Sequence, residues 1–185
     1  FESSVAAFEV SCERLLQKLL AFIEIHSDTA NQKKKLEHWK QKNADALGYA
    51  VQHQRGIWDD DGDEAEEEDI IPQELLDAVE KLDPSDYVLG AMITETYRDL
   101  DQIVHFIEEA KKFQPKHDDK LQKLVRLLNT KDLVGAKVLI FTEVADTARY
   151  LKRELDKAGV QGVSEVDSAT KGNRAEVIKR FAPYY

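Results

Sequence analysis

The spacing of apolar residues changes character at Gly135. Before that glycine, large apolar side chains recur at steps of three and four. After it comes a continuous apolar run, Val138–Phe141, bounded by Gly135 and Thr142. Steps of three and four describe helices that each bury one stripe, whereas a short continuous run describes a strand buried on both faces. A second short strand is predicted at Val163–Val166, and each strand is followed by an amphipathic stretch. Strand, helix, strand, helix in that order implies parallel pairing through a right-handed crossover. The predicted fold class is therefore α + α/β, with antiparallel helices first and an incomplete parallel α/β unit after them. The boundary falls between residues 1–115 and residues 116–185.

Within the first part, Val5, Phe8, Cys12, Leu15, Leu16, Leu19, Phe22 and Ile23 place a helix over Ser3 to about Ile25. Ser27-Asp28-Thr29 supplies end and cap chemistry for a more polar helix over Ala30–Lys42. Pro72 suits the first turn of a short helix through Leu82. Asp83-Pro84-Ser85-Asp86 looks like the cap of a longer helix reaching Phe113, striped by Leu89, Ile93, Tyr97, Leu100, Ile103, Val104 and Ile107. That stripe needs an apolar partner, for which the first helix is the candidate, as an antiparallel pair.

In the second part, a helix over Lys116–Leu128 turns Leu121, Leu124, Val125 and Leu128 inward. Asp118-Asp119 at its start complements the helix dipole. Another helix spans Val144–Ala158, with Ala148, Leu151 and Leu155 inward and Gly159 as its stop. A last one runs from Lys171 or Gly172 to Phe181, with Val177, Ile178 and Phe181 on one side. A parallel sheet is covered on both faces and usually has several strands. Two strands from Val134 onward point to a piece of a longer α/β domain.

Charge is distributed unevenly along the 185 residues. Residues 1–58 carry a net +1, residues 59–115 a net −15, and residues 116–185 a net +4. Nine carboxylates crowd into Asp59–Asp69, a run without apolar anchors that repels itself and reads as a loop. Aligning Gly62 with the sixth position of a calcium loop places Asp59, Asp61 and Glu68 on ligand positions, but it also places Ile57 on the first, where a carboxylate belongs. The basic carboxyl-terminal part is compatible with polyanion binding despite the acidic total.

A single cysteine, Cys12, excludes an internal disulfide framework and a multi-cysteine zinc site, and fits a reducing compartment. No run approaches the eighteen apolar residues of a membrane span, and Phe1-Glu2-Ser3-Ser4 lacks the basic start of a signal peptide. The simplest location is cytoplasmic. None of G-x-x-x-x-G-K-[ST], H-E-x-x-H, G-x-S-x-G or G-x-G-x-x-G occurs. The five histidines are widely spaced and form no helical ligand pair; no metal ligand is assigned. Cys12 lies on the apolar stripe, where packing is its role. Lys33-Lys34-Lys35 reads as a solvated helix face.

One stretch points to chemistry. Ligands of open α/β sheets bind at the carboxyl ends of the strands. There Thr142 closes the first strand, and Asp167-Ser168-Ala169-Thr170-Lys171-Gly172-Asn173-Arg174 follows the second. Small hydroxyls, a glycine and two cations beside a helix start form either a phosphate seat or a plain capping turn.

Lys137-Val138-Leu139-Ile140-Phe141-Thr142-Glu143, followed by Asp146-Thr147-Ala148-Arg149-Tyr150-Leu151, resembles the opening of the second RecA-like lobe of superfamily two helicases, in the Swi/Snf-type (bacterial HepA-like) branch. Asp119-Lys120-Leu121 with Leu127-Leu128, the stretch from Asp167 to Arg174, and Ile178-Lys179-Arg180-Phe181 resemble neighbouring segments of that branch. Phe1-Glu2-Ser3-Ser4-Val5-Ala6-Ala7-Phe8 is similar to its inter-lobe connector. The likeness covers residues 1–25 and 116–185 and leaves the acidic middle as an insertion.

The resemblance implies part of a motor driven by ATP and magnesium along double-stranded nucleic acid. The phosphate-loop lysine, acidic box and arginine fingers of that family have no counterpart in these residues, so no catalytic residue is assigned and no cofactor is expected to bind here. Thr142, from the family's motif IV, with Lys171 and Arg174, chosen for position and charge, are the candidate contacts to a nucleic-acid backbone. The alternative is a helical protein–protein interaction module whose acidic loop regulates it. Strand pairing between copies is a further expectation for an open sheet edge.

Overall fold

The computed structural model describes residues 4–58, 70–167 and 174–182, with side chains over 4–52, 70–167 and 174–182. The acidic run Asp59–Asp69, with its calcium-loop alignment, and Lys171 lie outside the described residues. Helices follow one another throughout: α1 (Val5–Ile25), α2 (Ala30–Lys42), α3 (Ala44–Trp58), α4 (Gln73–Ala78), α5 (Leu89–Ala110), a 3-10 turn at Pro115–His117, α6 (Asp119–Leu128), α7 (Ala145–Lys157) and α8 (Arg174–Phe181). No described helix is long and apolar enough to cross a membrane. The chain divides into two compact units, one of residues 9–112 and one of residues 1–8 with 113–185.

The unit of residues 9–112 is built on one apolar core. Leu16, Leu20 and Ile23 of α1, Leu36 and Trp39 of α2, Leu47 of α3, and Ile93, Leu100 and Ile107 of α5 belong to a single buried cluster. The predicted stripe of α5 is buried from Ile93 to Ile107, joined by Thr96 and Ala110, while Leu89 is half-buried. Helix α2 starts where the cap chemistry places it. Thr29 Oγ1 accepts the Gln32 N–H at 3.2 Å, and Gln32 Oε1 accepts the Thr29 N–H at 3.0 Å, a reciprocal capping box.

Helix α3 has no counterpart among the predicted elements. Its buried face is Ala46, Leu47 and Ala50, a stripe with one large side chain, and Gly48 interrupts its interior. The separation from α2 is a single residue: Asn43 caps α2, and its carbonyl accepts the N–H groups of Ala46 and Leu47. The backbone of α3 runs close to both α5 and α2.

Helices α4 and α5 are shorter than predicted. Asp83 turns out to cap a turn, not a helix: its Oδ1 accepts the Ser85 N–H at 2.8 Å, and α5 begins only at Leu89. His26 ties the preceding segment down. Its Nδ1 donates to Phe22 O at 2.8 Å and its Nε2 accepts the Leu82 N–H at 3.0 Å, which places the ring proton on Nδ1. Two further bonds cross this unit: Trp39 Nε1 donates to Asp101 Oδ1 at 2.8 Å, and Tyr49 Oη donates to Glu9 Oε1 at 2.6 Å.

In the other unit, Leu121 of α6 packs with Tyr150 and Leu151 of α7, flanked by Ala6, Leu124 and Val125. Asp118 caps α6, its Oδ1 accepting the Leu121 N–H at 2.9 Å. Gly159 closes α7 as predicted. With φ +80° it allows Val160 N–H to reach Leu155 O and its own N–H to reach Asp156 O, a Schellman motif.

The parallel α/β unit is not formed. No strand or sheet occurs among the described residues, so the RecA-like fold class expected from the sequence is corrected to helices alone. Leu139 is 62% and Phe141 80% exposed, the reverse of a strand covered on both faces. Val163–Val166 is held instead by its neighbour Asp167, which accepts from Arg149 of α7 at 2.6 Å. Val138–Phe141 has no partner strand among the described residues.

Candidate functional site

The predicted contact residues belong to the unit of residues 1–8 and 113–185. Thr142 is half-buried just ahead of α7, and its hydroxyl donates to Val144 O at 3.0 Å. Its one hydrogen is thereby used within its own turn, leaving the oxygen as an acceptor. Arg174 is the first residue of α8 and is exposed. No hydrogen bond joins Thr142 to Arg174, so the structure does not assemble a phosphate seat from these two.

The arginine that the sequence places between them serves another purpose. Arg149 Nη1 donates to Asp146 Oδ1 at 2.8 Å, Nη2 to Asp167 Oδ2 at 2.6 Å, and Nε lies 3.7 Å from Glu165 Oε1. Burial pushes the Glu165 carboxyl above its usual range against the opposing pull of Arg149, and Asp167 adds to the rise. A guanidinium held by carboxylates on three sides braces the segment after α7 and is not presented to an outside anion.

The other cations of α7 are also matched. Glu154, 7% exposed, accepts from Arg153 at 3.1 Å and from Lys157 at 2.9 Å, and Lys152 lies 3.6 Å from Asp156. Lys137 Nζ donates to the carbonyls of Arg180 and Phe181 at 3.2 and 2.6 Å, capping the end of α8.

Helix α6 and the turn that leads into it are different. Lys116, Lys120, Lys123 and Arg126 are all exposed, and none makes an ion pair or hydrogen bond among the described residues. Within α6, steps of three put Lys120, Lys123 and Arg126 along one side, while Leu121, Leu124 and Val125 pack on the other; Lys116 precedes the helix, in the 3-10 turn. Asp119 shares the basic side, and Leu127, 53% exposed, lies within it. This row is absent from the sequence-based candidates, which used α6 for its inward apolar residues, its acidic start and its likeness to the helicase branch. The signal was present in the spacing of the lysines.

Other potential chemistry resolves into structure. Cys12 is buried, and burial first, then Glu13 and Glu9, push its thiol pKa up, the opposite of activation. No group of His, Cys, Asp or Glu able to hold a metal occurs among the described residues. Lys35 lies 4.1 Å above the Tyr97 ring, and Lys33 and Lys34 line only an open depression on α2 with Glu37 and His38. A nucleoside triphosphate is also poorly matched. The first turn of α7 carries the buried carboxylate Asp146, and the nearest guanidinium is committed to carboxylates. The start of α7 therefore offers no phosphate seat.

No family model, curated protein or solved structure matches the chain.

Proposed function

We propose that this chain is a non-catalytic segment of an ATP-driven, helicase-like translocase of double-stranded nucleic acid, and that residues 116–185 contribute contacts to the nucleic-acid backbone. Support for the motor comes from the resemblance of Lys137–Glu143 and Asp146–Leu151 to the Swi/Snf-type branch. The observation that carries the contact is the row Lys120, Lys123 and Arg126 on α6, with Lys116 in the turn before it, exposed and without an ion pair among the described residues, while the cations of α7 are matched by carboxylates. An unmatched row of cations on a helix attracts phosphates through counterion release and reads no sequence. Lys171 and Arg174 are the proposed further contacts; the Thr142 hydroxyl, which donates to Val144 O, has no proton left for a phosphate.

The test is fluorescence anisotropy of a labelled duplex with the whole chain at low salt. Lys120→Ala with Lys123→Ala should weaken binding by about tenfold, and Lys171→Ala or Arg174→Ala by a smaller factor, equally on unrelated sequences. Unchanged affinity for the α6 double variant removes the proposed surface. ATP turnover by the purified chain should not exceed that of a mock preparation, because the groups that stabilise a transferring phosphoryl are not among its residues.

A further inference from the structure

The apolar run that fails to form an intramolecular strand is self-complementary. We propose that a second copy of this chain pairs with residues 137–143 as an antiparallel strand centred on Ile140. Val138, Leu139, Ile140 and Phe141 are 38, 62, 37 and 80% exposed, and lie outside both buried clusters. The backbones of Val138, Leu139 and Ile140 make no hydrogen bond among the described residues. Exposed apolar side chains on a backbone left unpaired over those three residues are a ready template for strand addition.

The sequence selects the occupant. In an antiparallel pair centred on Ile140, Lys137 faces Glu143 of the other copy, Val138 faces Thr142, Leu139 faces Phe141, and Ile140 faces itself. Side chains alternate between faces. One face then carries an ion pair, two Leu139–Phe141 contacts and a second ion pair, and the other carries Val138, Ile140 and Thr142. Opposite charges and aromatic–aliphatic pairs directly across a ladder are both favourable. Parallel in-register pairing puts Lys137 beside Lys137, and a one-residue slip removes both ion pairs, so the charged ends specify direction and register. The arrangement is two-fold symmetric and closes on itself. Lys137 remains able to take part, because the two carbonyls it caps use two of its three N–H donors. This inference is independent of nucleic-acid binding.

The test is analytical ultracentrifugation of the whole chain over a wide concentration range. A monomer–dimer equilibrium is expected. Glu143→Lys alone should weaken it by about tenfold or more with helical circular dichroism unchanged, and Lys137→Glu alone by as much, with a small loss of helical signal from α8, whose last carbonyls it no longer caps. The double swap, Lys137→Glu with Glu143→Lys, should restore it. Mixing the two single variants should also restore it as a heterodimer, since each then meets its opposite charge. A chain monomeric throughout overturns the proposal, whether residues 137–143 pair within the chain or await a different protein. A dimer indifferent to the swaps overturns it equally.

Discussion

Tyr150 Oη donates to Asp118 Oδ2 at 3.0 Å, while the other oxygen of the same carboxylate accepts the Leu121 N–H at 2.9 Å. One side chain therefore caps α6 and binds the buried Tyr150 of α7. Asp118→Ala removes a cap and strands a buried hydroxyl, and should cost about 2 kcal/mol or more in urea denaturation. Asp118→Asn, which keeps an acceptor oxygen, should cost less.

The same bond affects alkaline stability. Burial first, and then the hydrogen-bonded carboxylates Asp118 and Glu9, raise the pKa values of Tyr150 and Tyr49 well above the ordinary phenol value. A group with a raised folded pKa contributes stability that is fully present below its unfolded pKa and is lost as pH rises through the folded one. Stability should therefore be level with respect to these tyrosines up to about pH 10 and fall above it. Absorbance at 295 nm should show phenols that ionise only as the protein unfolds, and Tyr49→Phe and Tyr150→Phe should each remove one.

Trp39 is 7% exposed and bonded to Asp101. Asp101→Ala leaves the indole N–H without its acceptor and should cost about 1–3 kcal/mol, with a shift in Trp39 emission. Thr29→Ala should cost about 1 kcal/mol by removing the capping box, whereas Thr29→Asn should be nearly neutral.

The −15 charge of residues 59–115 predicts an effect on any polyanion site. Deleting Asp59–Asp69 removes nine carboxylates and should strengthen duplex binding at low salt. Equal affinity with and without the segment would show that it does not compete with nucleic acid.

Helix α2 and the stop at Gly159 were legible because each depends on local chemistry: a reciprocal hydrogen bond over three residues, and a glycine in the left-handed region. The buried stripe of α5 was legible from its period. Helix α3 was not, because alanines and one leucine give a weak periodic signal, and its burial comes from α5 and α2. The stripe of α1 was only partly right. Leu15 is 46% exposed while Glu13 is fully buried, and Glu9 is buried as the acceptor of Tyr49. The strands failed for a different reason: a continuous apolar run states what the segment would bury against, not whether a partner strand is present. At the candidate site, Thr142 and Arg174 were chosen from a sheet edge that does not form, whereas the α6 row follows from helical spacing alone.

The salt dependence of duplex binding tests the central claim most directly. For the whole chain, log K should fall linearly with log salt. The triple variant Lys120→Ala, Lys123→Ala, Arg126→Ala should reduce the magnitude of that slope by about 2–3, one increment of roughly 0.9 for each phosphate that is no longer neutralised. A chain that does not bind duplex at low salt, or a triple variant with the slope of the unaltered protein, would contradict the account.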